Sequence, residues 1–315
     1  MTTVAAVIAA FEPGPELMSV VEYADSQVDS VIVVDDGSPS RLRGGDGRVA
    51  EVLESCADAG VTVIESPENS GIAHALNTGV CEALRSGADI VLTLDQDTRI
   101  GDGYVDRAVA HLELARSVGI VDAVASPSVI NDDVAPFWFA EKGLTLAFEP
   151  IQSGLMIPRG VFDKVGLFDE SLFIDCVETE FYLRARAHGV HALVVPGTRI
   201  VHRLGTRTSW TPPRPLRWLL RGRGQDASIG FSEHAPFRHY YITRNRLVLY
   251  RRYARTEPLW CAVSVMKDTA HRARSMAVGS DRCAQMYMSA VGVWAAISGD
   301  IGKVPERTLR RSERL

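Results

Sequence analysis

An α/β fold, with a mostly parallel central sheet flanked by helices, is what this sequence predicts, on three observations. Short apolar runs alternate with amphipathic stretches through the first half of the chain. Acidic and glycine-rich segments recur just after those runs, where open α/β sheets place their ligands. From about Pro236 onward only helical patterns remain. A length of 315 residues accommodates one large core and a smaller appendage, and we expect a main domain over residues 1–225 and a C-terminal helical subdomain over 226–315.

Thr3 to Ala10 reads as the first buried strand, and Pro13-Gly14-Pro15 breaks it before a helix that ends near Gln27. Ser30 to Val34 is the second strand and Val61 to Ile64 the third. A helix from Ile72 to Arg85 then leads to a fourth strand, Asp89 to Leu94. Past residue 120, Pro127, Pro136, Pro150 and Pro158 mark turns between shorter strands, and a helix begins at Phe173 and runs through Ala187. In the C-terminal part, Leu247 to Tyr250 beside Arg244, Arg246, Arg251 and Arg252 give an amphipathic basic helix, followed by apolar helical stretches at 259–266 and 286–297.

Composition narrows the function classes. A hydrophobic fraction of 46% and a charged fraction of 23% are ordinary for a globular chain. The net charge of -5 argues against a nucleic-acid binder, which needs a surplus of Lys and Arg on one face. Five scattered cysteines, odd in number and without CxxC spacing, read as free thiols in a reducing cytoplasm. Met1 to Val4 lacks the pattern of a secretory leader, and Met286 to Ile297 is shorter than the roughly 20 residues that span a bilayer. The expectation is a cytoplasmic protein, soluble or peripheral on the inner face of the membrane. Arg203, Arg207, Arg214, Arg217, Arg221 and Arg223 crowd one Pro/Gly-containing loop, which suits either anionic headgroups and a lipid-linked diphosphate or closure over a bound diphosphate.

Several segments carry chemistry. Leu92 to Asp97 sets Asp95 and Asp97 two residues apart just past a buried strand, a pair that can hold Mg²⁺ or Mn²⁺ while a diphosphate completes the coordination. Asp95-Gln96-Asp97-Thr98 also looks like the haloacid-dehalogenase phosphatase signature, although three strands precede it here and no clear downstream lysine and paired-Asp segment follows. Val33 to Ser38 ends a strand with Asp35, Asp36 and a turn glycine, which serves either to accept hydrogen bonds from a base or ribose or to cap a helix through Asp36 or Ser38. Asn69 to Gly79 opens a helix with small residues, where N–H groups can face phosphates, Ser70 can cap, and His74 reads as a surface residue. Asp175, Glu178 and Glu180 crowd a helix start, where one can be a general base. His202 follows an apolar strand.

Taken in order, Val33 to Ser38, Asn69 to Gly79, Leu94 to Thr98, Gln152-Ser153-Gly154, Val165 to Glu170, residues 173–184 and His202 resemble glycosyltransferase family 2, and most closely its bacterial rhamnosyltransferases. Arg238 to Arg246 is similar to that subgroup's C-terminal signature. The resemblance implies a GT-A fold, a nucleotide-sugar donor such as dTDP-β-L-rhamnose, a glycan or lipid-linked acceptor in cell-surface polysaccharide synthesis, inversion at the anomeric carbon, and Mg²⁺ or Mn²⁺. It implies Asp95, Asp97 and His202 as metal ligands and Glu178 as catalytic base. Nucleotide and substrate contacts are implied for Ala10, Phe11, Asp36, Asn69, Gly71, Ala73, Asn77, Asp95, Gln96, Ser153, Gly154, Glu180 and Arg207. By the same reading Glu180 orients the acceptor or braces the helix, and Asp175 caps it. The family often has Asn at Asp36, Thr-Tyr or Thr-Phe near Ala10-Phe11, and Asp at Glu178. A nucleotide-sugar-binding protein without turnover is the reading from another class.

Overall fold

Val4–Ala10 (β1) contains no polar side chain and is buried along its whole length. Ala5, Val7 and Ala9 point into one core, while Val4, Ala6, Ile8 and Ala10 point into a second on the opposite face of the sheet. A strand covered on both sides needs a continuous apolar run rather than an alternating one, which is why the sequence marks it so clearly.

The computed structural model describes residues 2–42, 47–202, 206–210, 229–233, 235–278 and 281–315; residues 206–210, 229–233, 274 and 276–278 are described by their backbone alone. After β1 come α1 (Glu16–Asp25), β2 (Ser30–Asp35), α2 (Pro39–Leu42), α3 (Arg48–Asp58), β3 (Thr62–Glu65), α4 (Ile72–Arg85), β4 (Ile90–Asp95) and β5 (Thr98–Ile100). The chain continues through α5 (Tyr104–Ser117), β6 (Ala123–Ile130), β7 (Asp133–Val134), β8 (Phe137–Glu141), β9 (Leu144–Ala147), β10 (Leu155–Pro158) and α6 (Arg159–Val165). A 3₁₀ turn (Glu170–Leu172), α7 (Val177–Ala187) and β11 (His191–His202) complete this part.

The sheet runs β3-β2-β1-β4-β10-β6-β11-β9-β8, with β5 also pairing β11 and β7 pairing β6. Strands β1, β2, β3 and β4 are mutually parallel, as are β6 and β11, and β10 lies antiparallel between β4 and β6. Ala10, Asp35, Asp95 and His202 therefore all end strands at one edge of the sheet. Because β10 runs the other way, with Leu155 opposite Thr93, it brings Ser153 and Gly154 to that same edge. Helices α4, α6 and α7 cover one face, and α1, α3 and α5 the other. Helix α4 approaches β1 closely, since a Cβ at Gly79 would lie 2.4 Å from Val7 Cγ1.

The helix expected from Phe173 starts later. Phe173, Asp175 and Cys176 have φ of 66°, 64° and 62°, outside the helical region, and α7 begins only at Val177. Cys176 stands at the cap position in left-handed geometry with no side-chain cap, so Asp175 does not cap α7. Nor does Ser70 cap α4, whose cap position is Gly71.

The chain divides into two compact units, Met1–His202 with Ile301–Lys303, and Arg203–Asp300 with Val304–Leu315. The second contains a ribbon of β12 (Thr206–Trp210) and β13 (Ile229–Glu233) and the helices α8 (Pro236–Tyr253), α9 (Pro258–Val278), α10 (Arg282–Ser298) and α11 (Glu306–Ser312). Its centre is the Arg238–Arg246 segment. Tyr240, Tyr241, Arg244 and Asn245 are buried, with the Arg244 guanidinium 5.4 Å and 5.2 Å from the two tyrosine rings. Tyr241 Oη accepts a hydrogen bond from the Val304 amide, and α10 packs on α8 so closely that a Cβ at Gly292 would meet the Tyr240 carbonyl at 2.6 Å. This signature is the packing hub of the helical unit.

Candidate active site

Two strand pairings assemble a group of side chains that could hold a metal ion. Gln96 and Asp97 form the tight turn between β4 and β5, and β5 pairs antiparallel with β11 so that Thr98 lies opposite His202. This register brings residues 104 positions apart into contact: Thr98 Oγ1 and His202 Nδ1 are 2.6 Å apart. Candidate ligand atoms of Asp95, Asp97 and His202 lie within 4.8 Å of one another, and His202 Nδ1 is 3.3 Å from Asp97 Oδ1 and 3.8 Å from Asp95 Oδ2. All three side chains are partly exposed. Two hard carboxylates and one imidazole, reachable from solvent, suit Mg²⁺ or Mn²⁺ with diphosphate oxygens in the remaining positions.

Ser153 organises this group from behind. Its hydroxyl accepts from the Asp95 amide at 2.8 Å and donates to Thr98 Oγ1 at 2.8 Å, so a relay runs from the β4 backbone to the His202 ring and fixes its orientation. Asn131 Oδ1 accepts from the His202 amide at 3.0 Å. Gly154, at φ 86°, lies against Tyr104, whose hydroxyl donates to the Gly154 carbonyl. Ser153 and Gly154 thus support the metal group from within the fold.

Beside it lies a cavity of about 220 Å³, lined by Ala9, Ala10, Phe11, Asp36, Asn69, Gly71, Ile72, Ala75, Asp95, Gln96, Phe173 and Ile174. Asp36 Oδ1 accepts from the Ser70 amide at 2.9 Å and Oδ2 from the Gly71 amide at 2.8 Å, which ties the β2 end to the start of α4. Burial pushes the Asp36 carboxyl above the usual carboxylate range, and those two amides partly offset the rise. Asn69 Oδ1 is buried with no hydrogen-bond partner among the described residues. Gln96 Oε1 accepts from the Phe11 amide at 2.7 Å, so the middle residue of the acidic pair holds the β1–α1 loop over the cavity.

Other expected residues lie elsewhere. Ala73 is fully buried in the core below α4, and Ile72 and Ala75 face the cavity in its place. Asn77 binds the 168–170 segment through Phe168 and Glu170, so its amide is taken up by structure. Glu180, 1% exposed, pairs with Arg184 at 2.9 Å, and Arg184 also donates to the carbonyls of Val165 and Leu167, a brace set inside the fold. Glu178 is half-buried in the first turn of α7, just after the Phe173–Cys176 segment. Arg207 lies in β12, its side chain outside the described residues, as are Arg203, Arg214, Arg217, Arg221 and Arg223. His74 faces Glu170 at 3.1 Å on the exposed side of α4.

The sequence reading passed over Arg41 and, on the cavity wall, Ala9, Ile72, Ala75, Phe173 and Ile174. Arg41 reaches Asp35 at 2.8 Å and the Ser66 carbonyl at 2.6 Å, and Ser38 bonds Asp35, so the first acid of Asp35-Asp36 is a buried anchor. Phe173 and Ile174 line the cavity because the backbone there is not helical. Nothing in local propensity marks that departure.

A mostly parallel sheet core whose C-terminal edge sets a carboxylate pair and a histidine beside a cavity is the GT-A arrangement. The chain matches the glycosyl transferase family 2 model over residues 8–159, just under half of its length. Over 200 residues it is 28% identical to the dTDP-rhamnosyl transferase RfbF of Shigella flexneri, covering 58% of this chain and 61% of that protein. The chain thus spans about three fifths of the length of this curated relative. Among solved structures, GalNAc-T7 with UDP, GalNAc and Mn²⁺ superposes with a TM-score of 0.51 at 16% identity, over 64% of this chain and 44% of that one, a likeness of fold. The haloacid-dehalogenase reading of Asp95–Thr98 falls with these matches, and with Asp95 ending the fourth strand of the sheet.

Proposed function

We propose that the protein is an inverting glycosyltransferase that moves L-rhamnose from dTDP-β-L-rhamnose to a hydroxyl of a glycan or lipid-linked acceptor. One observation carries this reading: the apolar cavity holding Asp36 opens directly beside the Asp95, Asp97 and His202 group in a chain that matches the family 2 model. Asp36 and the Asn69 carbonyl oxygen accept from the base or ribose of the donor, and Phe11 packs on it. Asp95, Asp97 and His202 hold Mg²⁺ or Mn²⁺, which when bound neutralises charge on the departing diphosphate. Glu178 takes the proton from the acceptor hydroxyl as its oxygen attacks the anomeric carbon opposite the diphosphate; the bond from sugar to phosphate oxygen breaks and its electron pair leaves with the nucleotide. One displacement inverts the configuration. The rhamnose assignment leans on the relative's name and is the finer part of the reading. Donor turnover with dTDP-rhamnose and with UDP-sugars, each with and without Mn²⁺, tests it. Turnover confined to a UDP-sugar overturns the donor; turnover undiminished in metal-free enzyme overturns the metal assignment.

A further inference from the structure

We propose that the outer faces of α9 and α10 form a docking surface for an anionic membrane. Between Arg282 and Asp300 there is no Asp, Glu, Lys or Arg. The inner face of α10 is filled by Ala284, Met288, Gly292 and Ala295 against the rest of its unit, yet the outer face is apolar too: Trp294 and Ile297 are each 69% exposed, with Met286 and Val293 beside them. On α9, Leu259, Val265 and Met266 are likewise exposed. A helix with apolar side chains on both its inner and outer faces belongs in a large core or against lipid, and among the described residues nothing covers the outer face.

Charge selects the occupant. Residues 203–300 and 304–315 contain 19 arginines and one lysine against eight acidic residues, a surplus of 12 positive charges. The remaining residues carry 14 basic and 31 acidic side chains, a deficit of 17. A second copy docking by the same face would bring two strongly basic units together, whereas anionic headgroups complement that charge. Arg251, Lys267 and Arg282 are exposed on α8, α9 and α10, and Arg255 is exposed in the turn between α8 and α9. Among the described residues no helix is long and apolar enough to cross a membrane, so these helices lie in the interface, with Trp294 at headgroup depth. The surface goes beyond the sugar-transfer reading and requires no donor, so its test stands apart from catalysis.

The test is co-sedimentation of the full chain with phosphatidylglycerol vesicles and with pure phosphatidylcholine vesicles at low ionic strength. Binding is expected to the anionic vesicles only, weakened by salt, and reduced about tenfold or more in a Trp294→Ser/Ile297→Ser variant. Should that variant show a lowered Tm, Leu259→Ser/Met266→Ser on α9 carries the same comparison. Wild type left in the supernatant with anionic vesicles, or a folded variant that sediments as well as wild type, overturns the proposal. So does sedimentation velocity showing a vesicle-free dimer that the substitutions dissociate, which would give the face to a second copy.

Discussion

Asp36 and Asp35 differ in role although they are adjacent. Asp35 is locked to Ser38 and Arg41, whereas Asp36 lines the cavity with its carboxyl raised by burial. A carboxyl whose folded pKa lies above its unfolded value binds protons more readily in the folded chain, so Asp36 adds stability as pH falls through its raised pKa and opposes folding once ionised. Its proposed use as an acceptor runs the other way: protonation takes up a carboxylate lone pair that would accept from the donor's base. Donor affinity by calorimetry should therefore fall on acidification through a pKa above the usual carboxylate range, and Asp36→Asn should remove that inflection. A wild-type profile that stays flat down to the range of ordinary carboxylates would contradict this role. Glu178 and Glu180 separate as clearly. Glu178→Gln should keep donor affinity and lose turnover by roughly 10² to 10⁴, the worth of a general base. Glu180→Gln should instead lower the unfolding free energy by about 3 kcal/mol, because it leaves Arg184 without its buried partner. Urea unfolding of both variants beside their turnover decides the assignment, and a stable but inactive Glu180→Gln would reverse it.

At the scale of elements, the site depends on the contact between the start of α4 and the Phe173–Cys176 segment. Gly71 has φ 98°, and a Cβ there would lie 2.5 Å from the Phe173 carbonyl oxygen, so only glycine lets the two approach. Three residues of this segment, Phe173, Asp175 and Cys176, have positive φ, and each carries strain that the surrounding contacts must sustain. Gly71→Ala should push the segment away, weaken donor binding by at least about tenfold and destabilise the fold by more than about 1 kcal/mol, read by calorimetry and by urea unfolding. Wild-type donor affinity in a folded Gly71→Ala protein would show that the contact does not shape the cavity. The β4–β5 turn makes the second dependence. Asp97→Asn should leave the Tm within a degree or two, since the side chain is exposed in part, while Mn²⁺-dependent donor binding is lost.

For the molecule as a whole, a donor nucleotide and a cation should stabilise together: dTDP with Mn²⁺ should raise Tm more than either alone, because a ligand at 100 times its Kd adds about 2.7 kcal/mol to the native state. Equal shifts with and without Mn²⁺ would separate the metal group from the nucleotide cavity. The sequence by itself determined the parallel strands, since β1, β2 and β4 are buried on both faces and must read as unbroken apolar runs. It also determined Asp95 and Asp97, because two acids past such a strand have no place in a core, and it marked the helical end of the chain. Tertiary structure alone decided the rest. His202 reaches the acids only through the β5–β11 register, and Ser153 only through an antiparallel β10 inserted between parallel strands. Helical spacing could place Glu178 and Glu180 on different faces, but not say which face was buried; Arg184 and the carbonyls it holds settled that. The family resemblance implied donor contacts for Ala73 and Asn77, and small and amide residues suit both a cavity and a tight helix–sheet junction. The local pattern is the same for both roles, and only the packing of α4 on β1 and of Asn77 against Phe168 and Glu170 distinguishes them.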